Sequence, residues 1–176
     1  MMLRTKRLLI RSFRKNDQED LYAYLSDPEV VRFEPYQPLQ RSEIQTVIEQ
    51  RINDRRFLAV ALSSNKLIGN LYVAMTEPDV YEIGYVFNRA YWGQGYARES
   101  LICLIEYLFH NQKAQRIIAS CDQENERSWR LLESCGLQRT AALVRDVYFF
   151  VDENNQPIWK DTYRYELLID NYPINY

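Results

Sequence analysis

The sequence predicts a mixed α/β domain built on one largely antiparallel sheet, and three observations carry that reading. Runs that alternate apolar and polar residues with period two are interleaved with runs of helical spacing. Their order is strand, two helices, antiparallel strands, then strand, helix, strand, helix and two last strands. No repeat, low-complexity segment or linker interrupts the 176 residues, so one domain spanning 1–176 is expected, with about four helices flanking the sheet.

Residues 8–13 read as the first strand. Asn16 or Asp17 is a candidate cap for a helix running to Leu25, stopped at Asp27-Pro28. The next helix opens on Ser42-Glu43-Ile44-Gln45, a capping-box pattern, and places Ile44, Val47, Ile48 and Ile52 on one face. Strands at 57–62 and 67–74 flank a hairpin turn at Ser63-Ser64-Asn65-Lys66. After the turn at Glu77-Pro78-Asp79, a third strand at 81–88 sets Tyr81, Ile83, Tyr85 and Phe87 on one face. Glu82, Gly84 and Val86 fall on the other.

A glycine-rich loop, Trp92-Gly93-Gln94-Gly95-Tyr96-Ala97, then leads into a helix whose Leu101, Leu104, Ile105, Leu108 and Phe109 form an amphipathic stripe. A short strand at 116–121 precedes a helix near 125–135, which ends at Gly136, an expected C′ residue. Two final strands, about 144–151 and 158–167, flank the turn-rich Asp152-Glu153-Asn154-Asn155.

Composition excludes several classes. The 22 Lys and Arg residues nearly balance the 24 Asp and Glu, and a net charge of −2 leaves no basic footprint for nucleic acid. No run approaches the roughly 18 apolar residues of a membrane span. The apolar stretch Leu8-Leu9-Ile10 is too short for a secretory signal. Cys103, Cys121 and Cys135 are odd in number and lack metal-ligand spacing, so reduced thiols in a cytoplasmic protein without a metal site are expected. The 14 tyrosines supply apolar area with a polar tip, suited to strands, surface or a polar cleft.

The strand, glycine loop and helix form a physical recipe for holding phosphate. The first amides of a helix have no internal partners, and the helix dipole adds partial positive charge there. Glycines let the backbone approach the ligand, so the segment from Gly93 through Ala97 is expected to offer several N–H donors to an anion. A P-loop would need Gly-Lys followed by Ser or Thr, and this loop continues Gly-Tyr-Ala-Arg. A dinucleotide fingerprint needs a third glycine where Arg98 stands.

Residues 81–137 resemble the GCN5-related N-acetyltransferases, especially the branch of ribosomal-protein alanine and serine acetyltransferases. Segment 92–97 is similar to that family's Gln/Arg-x-x-Gly-x-Gly/Ala loop, with Trp92 at the Gln/Arg position, as in the Trp-Gly-x-Gly of this branch. Glu82-Ile83-Gly84-Tyr85-Val86-Phe87 looks like the central strand. Asn125-Glu126-Arg127-Ser128, Leu131-Leu132-Glu133 and Gly136-Leu137 look like the later motif. Leu8-Leu9-Ile10-Arg11, Trp159-Lys160-Asp161 and the segment 163–165 extend the similarity over nearly the whole chain.

The resemblance implies a splayed cleft that binds acetyl-CoA as co-substrate. It implies pyrophosphate on Trp92, Gly93, Gln94, Gly95, Tyr96 and Ala97, with Arg98 or Arg130 near CoA phosphates. The pantetheine arm would lie along the backbone of Tyr85, Val86 and Phe87 and be hydrogen-bonded by Asn125, which as a mere helix cap would look the same in sequence. It further implies direct attack by a primary amine, on a protein N-terminus or a small molecule, in a ternary complex. An acyl-CoA-binding module without catalysis is the alternative, and a homodimer accords with what is common among relatives.

Acetyl transfer needs a neutral amine, a polarised carbonyl and a stabilised leaving thiolate. With amine pKa values of about 8 to 10, a carboxylate acting directly or through water suffices as base. Glu82, charged on a strand that otherwise reads as core, is the first candidate, and a purely structural anchor is its rival role. Glu34 and Asp161 are reserves, Asp161 with a structural hydrogen bond as its competing role. A backbone N–H near Val86 or Phe87 would meet the oxyanion. Many relatives protonate sulfur with a tyrosine where this chain has Leu132, so the resemblance points instead to Ser128, a helix-bonding serine being the bland reading. Cys135 suggests a ping-pong route but has no partner base, and His110 suits a helix C-terminus better than a catalytic role. The acceptor pocket is expected from the first two helices, around 33–39, and from the final strands near 148–159, with the aromatic and acidic Phe33, Glu34 and Tyr36 suiting a cationic acceptor.

Overall fold

Eight strands hydrogen-bond into one sheet in the order β1-β2-β3-β4-β5-β6-β8-β7. The computed structural model describes residues 2–172, so Met1 and residues 173–176 of the expected domain lie outside the described residues. The strands are β1 (Met2–Arg4), β2 (Leu8–Arg11), β3 (Phe57–Leu62), β4 (Leu67–Glu77), β5 (Val80–Phe87), β6 (Arg116–Asp122), β7 (Gln138–Val151) and β8 (Pro157–Leu168). Five α-helices flank them: α1 (Gln18–Leu25), α2 (Pro28–Val31), α3 (Ile44–Asn53), α4 (Tyr96–His110) and α5 (Glu126–Ser134). Every pairing is antiparallel except β5 with β6.

The expected alternation of β5 is what separates two cores. Ile83 and Phe87, with Tyr81 and Tyr85 packed beside them, face the cluster under α4 and α5, where Leu101, Leu104 and Ile105 are fully buried. Val86 points to the opposite face, against Tyr24, Val30 and Ile48 from α1, α2 and α3. At about 25 cal/mol per Å² of apolar surface removed from water, these two layers supply the main driving force.

Several details depart from the sequence reading. A short β1, too brief to show a pattern, pairs with β2 from Met2↔Arg11 to Arg4↔Leu9. Strand β2 stops at Arg11, whose guanidinium makes a buried bidentate pair with Asp17 at 2.8 Å. That carboxylate also accepts from Arg14 N, so neither Asn16 nor Asp17 caps α1 through its side chain. Asp27-Pro28 ends α1 as expected but also opens α2, with Asp27 Oδ1 accepting from Glu29 N and proline at the first helical position. This makes five helices rather than about four.

The capping box at Ser42 does not form. Helix α3 starts after Glu43, whose carboxylate instead accepts from Gln40 N at 2.8 Å. Strand β7 begins at Gln138 rather than near Val144. Its register against β8 shifts three times, and Arg145 takes φ 51°, so bulges disguise the alternation. Gly136 follows α5 with φ 93°, as its expected C′ role requires.

Candidate active site

Strands β5 and β6 run side by side only for Val80↔Arg116, Tyr81↔Ile117 and Glu82↔Ile118. Beyond Glu82 they part, which leaves the backbone of β5 from Ile83 to Phe87 without a strand on that side. Two cavities open at this fork, one of about 720 Å³ and one of about 430 Å³. They share Phe33, Glu34, Tyr85, Val86, Asn125 and Ser128 in their linings.

The larger cavity is framed by the glycine loop. Gly93 and Gly95 have φ of 73° and 79°, a region where a side chain is strained, and Gly95 is the N-cap of α4. Glu99 N donates to Gly95 O at 3.0 Å, the first bond of the helix, so the amides of Tyr96, Ala97 and Arg98 precede the internal ladder. A Cβ at Gly93 would meet nothing within 4 Å, so this turn leaves open space above it. Trp92 ties the loop back to β5 by donating its indole N–H to Phe87 O at 2.8 Å. Arg7 holds the far side, donating to Gln94 O at 3.0 Å while its Nε lies 2.6 Å from Glu99 Oε2.

Most of the loop residues expected at a phosphate line this cavity: Trp92, Gly93, Gly95, Tyr96, Ala97 and Arg98. Gln94 does not. Its side chain bonds Ala90 O at 3.0 Å and its carbonyl is held by Arg7, so it braces the loop from behind. Arg130 lines the cavity but is ion-paired with Glu126 at 2.6 Å. Sequence reasoning missed Arg32 and Arg127, which also line it; Arg127 stacks 4.4 Å over Trp92. Free helix amides, an open strand edge and surrounding arginines together fit a long ligand with a phosphorylated end.

At the fork, Asn125 caps α5 by accepting from Ser128 N at 3.2 Å. Ser128 Oγ lies 2.9 Å from the Tyr85 hydroxyl, which also donates to Ser128 O at 3.0 Å. Burial raises the Tyr85 phenol, so it stays neutral and fixes the serine rotamer. Leu132 lines the smaller cavity and offers no proton donor there.

The carboxylates divide clearly. Glu82 lines only the smaller cavity, whereas Glu34 lines both. Desolvation pushes the Glu34 carboxyl up to about 7, against the lowering influence of the Tyr36 hydroxyl and Arg51. Position and acidity therefore favour Glu34, the reserve, as a proton acceptor at neutral pH. Asp161 instead accepts from Arg145 N at 2.8 Å, the structural bond expected of it.

Phe33 and Tyr36 line the smaller cavity beside Glu34, as the acceptor reading required. Arg51 from α3 and Lys160 from β8 lie on elements expected to wall the acceptor pocket, although neither residue was singled out; Tyr72 from β4 and Asp122 from β6 were not foreseen. Cys121 is there too, but burial pushes its thiol up to about 11. Cys135 is buried beyond both cavities with its thiol likewise raised by burial, so no activated cysteine supports a ping-pong route. His110 lies at the C-terminal end of α4, away from both linings.

Comparison with known proteins bears on the whole arrangement. The profile described as "Acetyltransferase (GNAT) domain" matches residues 7–138. A curated relative from Bacillus subtilis, called an uncharacterized N-acetyltransferase, is 31% identical over 96% of this chain and 97% of its own length. An acetyltransferase of the same family from Bacillus anthracis superposes with TM-score 0.85 at 30% identity, covering 96% of this chain and 98% of that one. Spermidine N-acetyltransferase from Vibrio cholerae, solved with CoA and spermine, shares the fold at TM-score 0.77 and 19% identity, covering 96% and 99%.

Proposed function

The chain belongs to the acetyltransferase (GNAT) domain family and is an acyltransferase, and we propose that it moves acetyl from acetyl-CoA to a primary amine by direct attack in a ternary complex. The observation that carries this reading is the shared wall of the two cavities. A thioester reaching the fork from the larger cavity and an amine reaching it from the smaller one would meet at Glu34 and Ser128. That arrangement holds both reactants at once, which favours one-step transfer over a covalent enzyme intermediate.

In this reading the pyrophosphate sits on the amides at the N-terminus of α4, with Trp92 and Gly93 shaping the turn and Arg98, Arg127 and Arg32 around it. Tyr85, Val86 and Phe87 offer their unpaired backbone edge to the pantetheine amides, and Asn125 a side-chain bond. Glu34 accepts the amine proton, in place of the first candidate Glu82, which we assign to the acceptor pocket. A backbone N–H at the end of β5 meets the oxyanion. Ser128, oriented by Tyr85, delivers a proton to the departing sulfur.

The Trp-Gly-x-Gly loop accords with the ribosomal-protein branch, and the acceptor classes in this reading are a protein N-terminus and a small-molecule amine. Free thiols at Cys103, Cys121 and Cys135, and the absence of any described helix able to cross a membrane, support a cytoplasmic setting. Exposed Val144, Tyr148, Val151 and Ile158 on the terminal hairpin of the sheet support a homodimer through that edge.

Calorimetric titration with acetyl-CoA, followed by thiol release with a panel of amines, tests the proposal. Micromolar binding and amine-dependent release are expected. Binding without release from any amine would leave the non-catalytic acyl-CoA module, and no binding would end both readings.

A further inference from the structure

Three cations and three carboxylates line the smaller cavity, and their pairing is uneven. Lys160 Nζ lies 3.2 Å from Asp122 Oδ2, and Arg164 lies 2.6 Å from Asp146. Among the described residues, Arg51 has no carboxylate within 4.0 Å, and neither Glu34 nor Glu82 has a cation. Arg51 is not loose: its guanidinium stacks 3.5 Å over the Phe57 ring, and Phe57 packs at 5.2 Å against Tyr72. All three line this cavity, and none of them lines the larger one. A guanidinium held by ring stacking, near enough to Glu34 to lower its carboxyl yet with no carboxylate in ion-pairing reach, lines only the smaller cavity and is free to take an anion there.

Resting on the acetyl-transfer reading above, we propose that the acceptor is a small zwitterion, an amine carrying a carboxylate or similar anion, whose anionic end is taken by Arg51 while its amine faces Glu34. Desolvation that holds Glu34 near neutrality suits it to receive a proton from the ammonium end. The neutral nitrogen then attacks the thioester carbonyl. A C–N bond forms, the C–S bond breaks, and the nitrogen's second proton ends on the departing thiol, so an amide and CoA leave with charge balanced. The proton held by Glu34 returns to solvent. A polyamine fits less well. It would bring further cationic nitrogens toward Arg51, Lys160 and Arg164 in a cavity of about 430 Å³, with Glu82 as their unpaired counter-charge, and would leave Arg51 without an anion.

The test uses the whole protein, acetyl-CoA and matched acceptors: each common amino acid, its carboxamide, its descarboxylated amine, and spermidine. At least one amino acid is expected to exceed its own carboxamide at least tenfold in kcat/KM. Arg51→Gln is expected to bring that ratio within about twofold, and Arg51→Lys to keep part of it, with acetyl-CoA affinity by calorimetry unchanged in both as the check on folding. If carboxamides or spermidine serve as well as the zwitterions, or if the protein binds acetyl-CoA and no zwitterion is acetylated, the proposal is overturned while acetyl transfer stands. A retained ratio in a folded Arg51→Gln protein overturns the role of Arg51. Loss of acetyl-CoA binding in the unmodified protein removes the premise and the proposal with it.

Discussion

The larger cavity is framed mostly by backbone. The end proposed for phosphate is a turn of two left-handed glycines and the first amides of α4, and its other wall is the unpaired edge of β5. The smaller cavity is framed by side chains that α3, β3, β4, β5, β6 and β8 each bring to one place. A backbone site depends on local conformation and tolerates changes of side chain around it. A side-chain site depends on the packing of distant elements, and single substitutions change what it accepts. The first suits a ligand common to a whole family, and the second suits the partner that differs between its members.

The difference is broken most directly at Gly95. Its φ of 79° disfavours any side chain, and a Cβ there would sit 3.4 Å from the Arg7 guanidinium. Gly95→Asp adds strain of roughly 1–3 kcal/mol and a carboxylate at an anion site. Acetyl-CoA affinity measured by calorimetry is expected to fall about 100-fold or more, a combined loss of roughly 3 kcal/mol. An affinity within threefold of the parent would mean that phosphate does not bind at this turn.

Glu34→Gln probes the fork from the acceptor side. Removing a general base costs about 100-fold or more in kcat. With Glu34 held at about 7, the parent's kcat/KM is expected to fall as pH drops below 7, and that limb is expected to vanish in the variant. Stability follows the opposite sign. A carboxyl raised from 4.5 to about 7 favours the fold in its protonated form, so its contribution is present below 4.5 and lost as pH rises through 7. At pH 8 the Gln variant is therefore expected to melt above the parent. Thermal scans at pH 5 and pH 8 check this, and a variant that melts lower at pH 8 contradicts the desolvation.

This division explains what was legible in the sequence. The β5 alternation, the α4 stripe, the glycine turn and the Asn125 cap are local patterns, fixed by residues within one or two turns of each other. The Trp92 anchor to Phe87 spans only five residues. By contrast, Arg51 and Lys160 come from opposite halves of the chain, and no spacing rule links them. Glu82 drew attention as a charge on a core-like strand, a local signal. Glu34, which we propose in its place, is reached by both cavities, and only the assembled fold determines that. The Ser42 box failed for a related reason: Glu43 found Gln40 N, an equally local partner that the motif does not anticipate.

Ser128→Ala sharpens the point where the two regions meet. Loss of its hydroxyl removes the hydrogen bond to Tyr85 at 2.9 Å and, with it, the donor proposed for the departing sulfur. A drop of about 10-fold in kcat with KM for acetyl-CoA little changed is expected, in line with one hydrogen bond to a charged group. Tyr85→Phe should cost less, and the double variant no more than Ser128→Ala alone, because the phenol acts through the serine. Additive losses would assign Tyr85 its own role in proton delivery.

The smallest effect is expected at Arg7, which tests whether the backbone site needs outside support at all. Its guanidinium is 41% exposed in the pair with Glu99, so the ion pair itself contributes at most about 1 kcal/mol. Its second task differs in kind. By holding Gln94 O and stacking 4.3 Å over Tyr96, Arg7 fixes the loop between the two left-handed glycines. Arg7→Gln keeps the length near the loop but removes the fork that binds Glu99 and Gln94 together. A rise of two- to fivefold in KM for acetyl-CoA, with kcat unchanged, is expected from a looser cradle, a cost of roughly 0.5–1 kcal/mol. A change in kcat instead would place the influence of Arg7 at the fork, where no contact of this residue reaches, and would show that the two cavities are coupled through the loop.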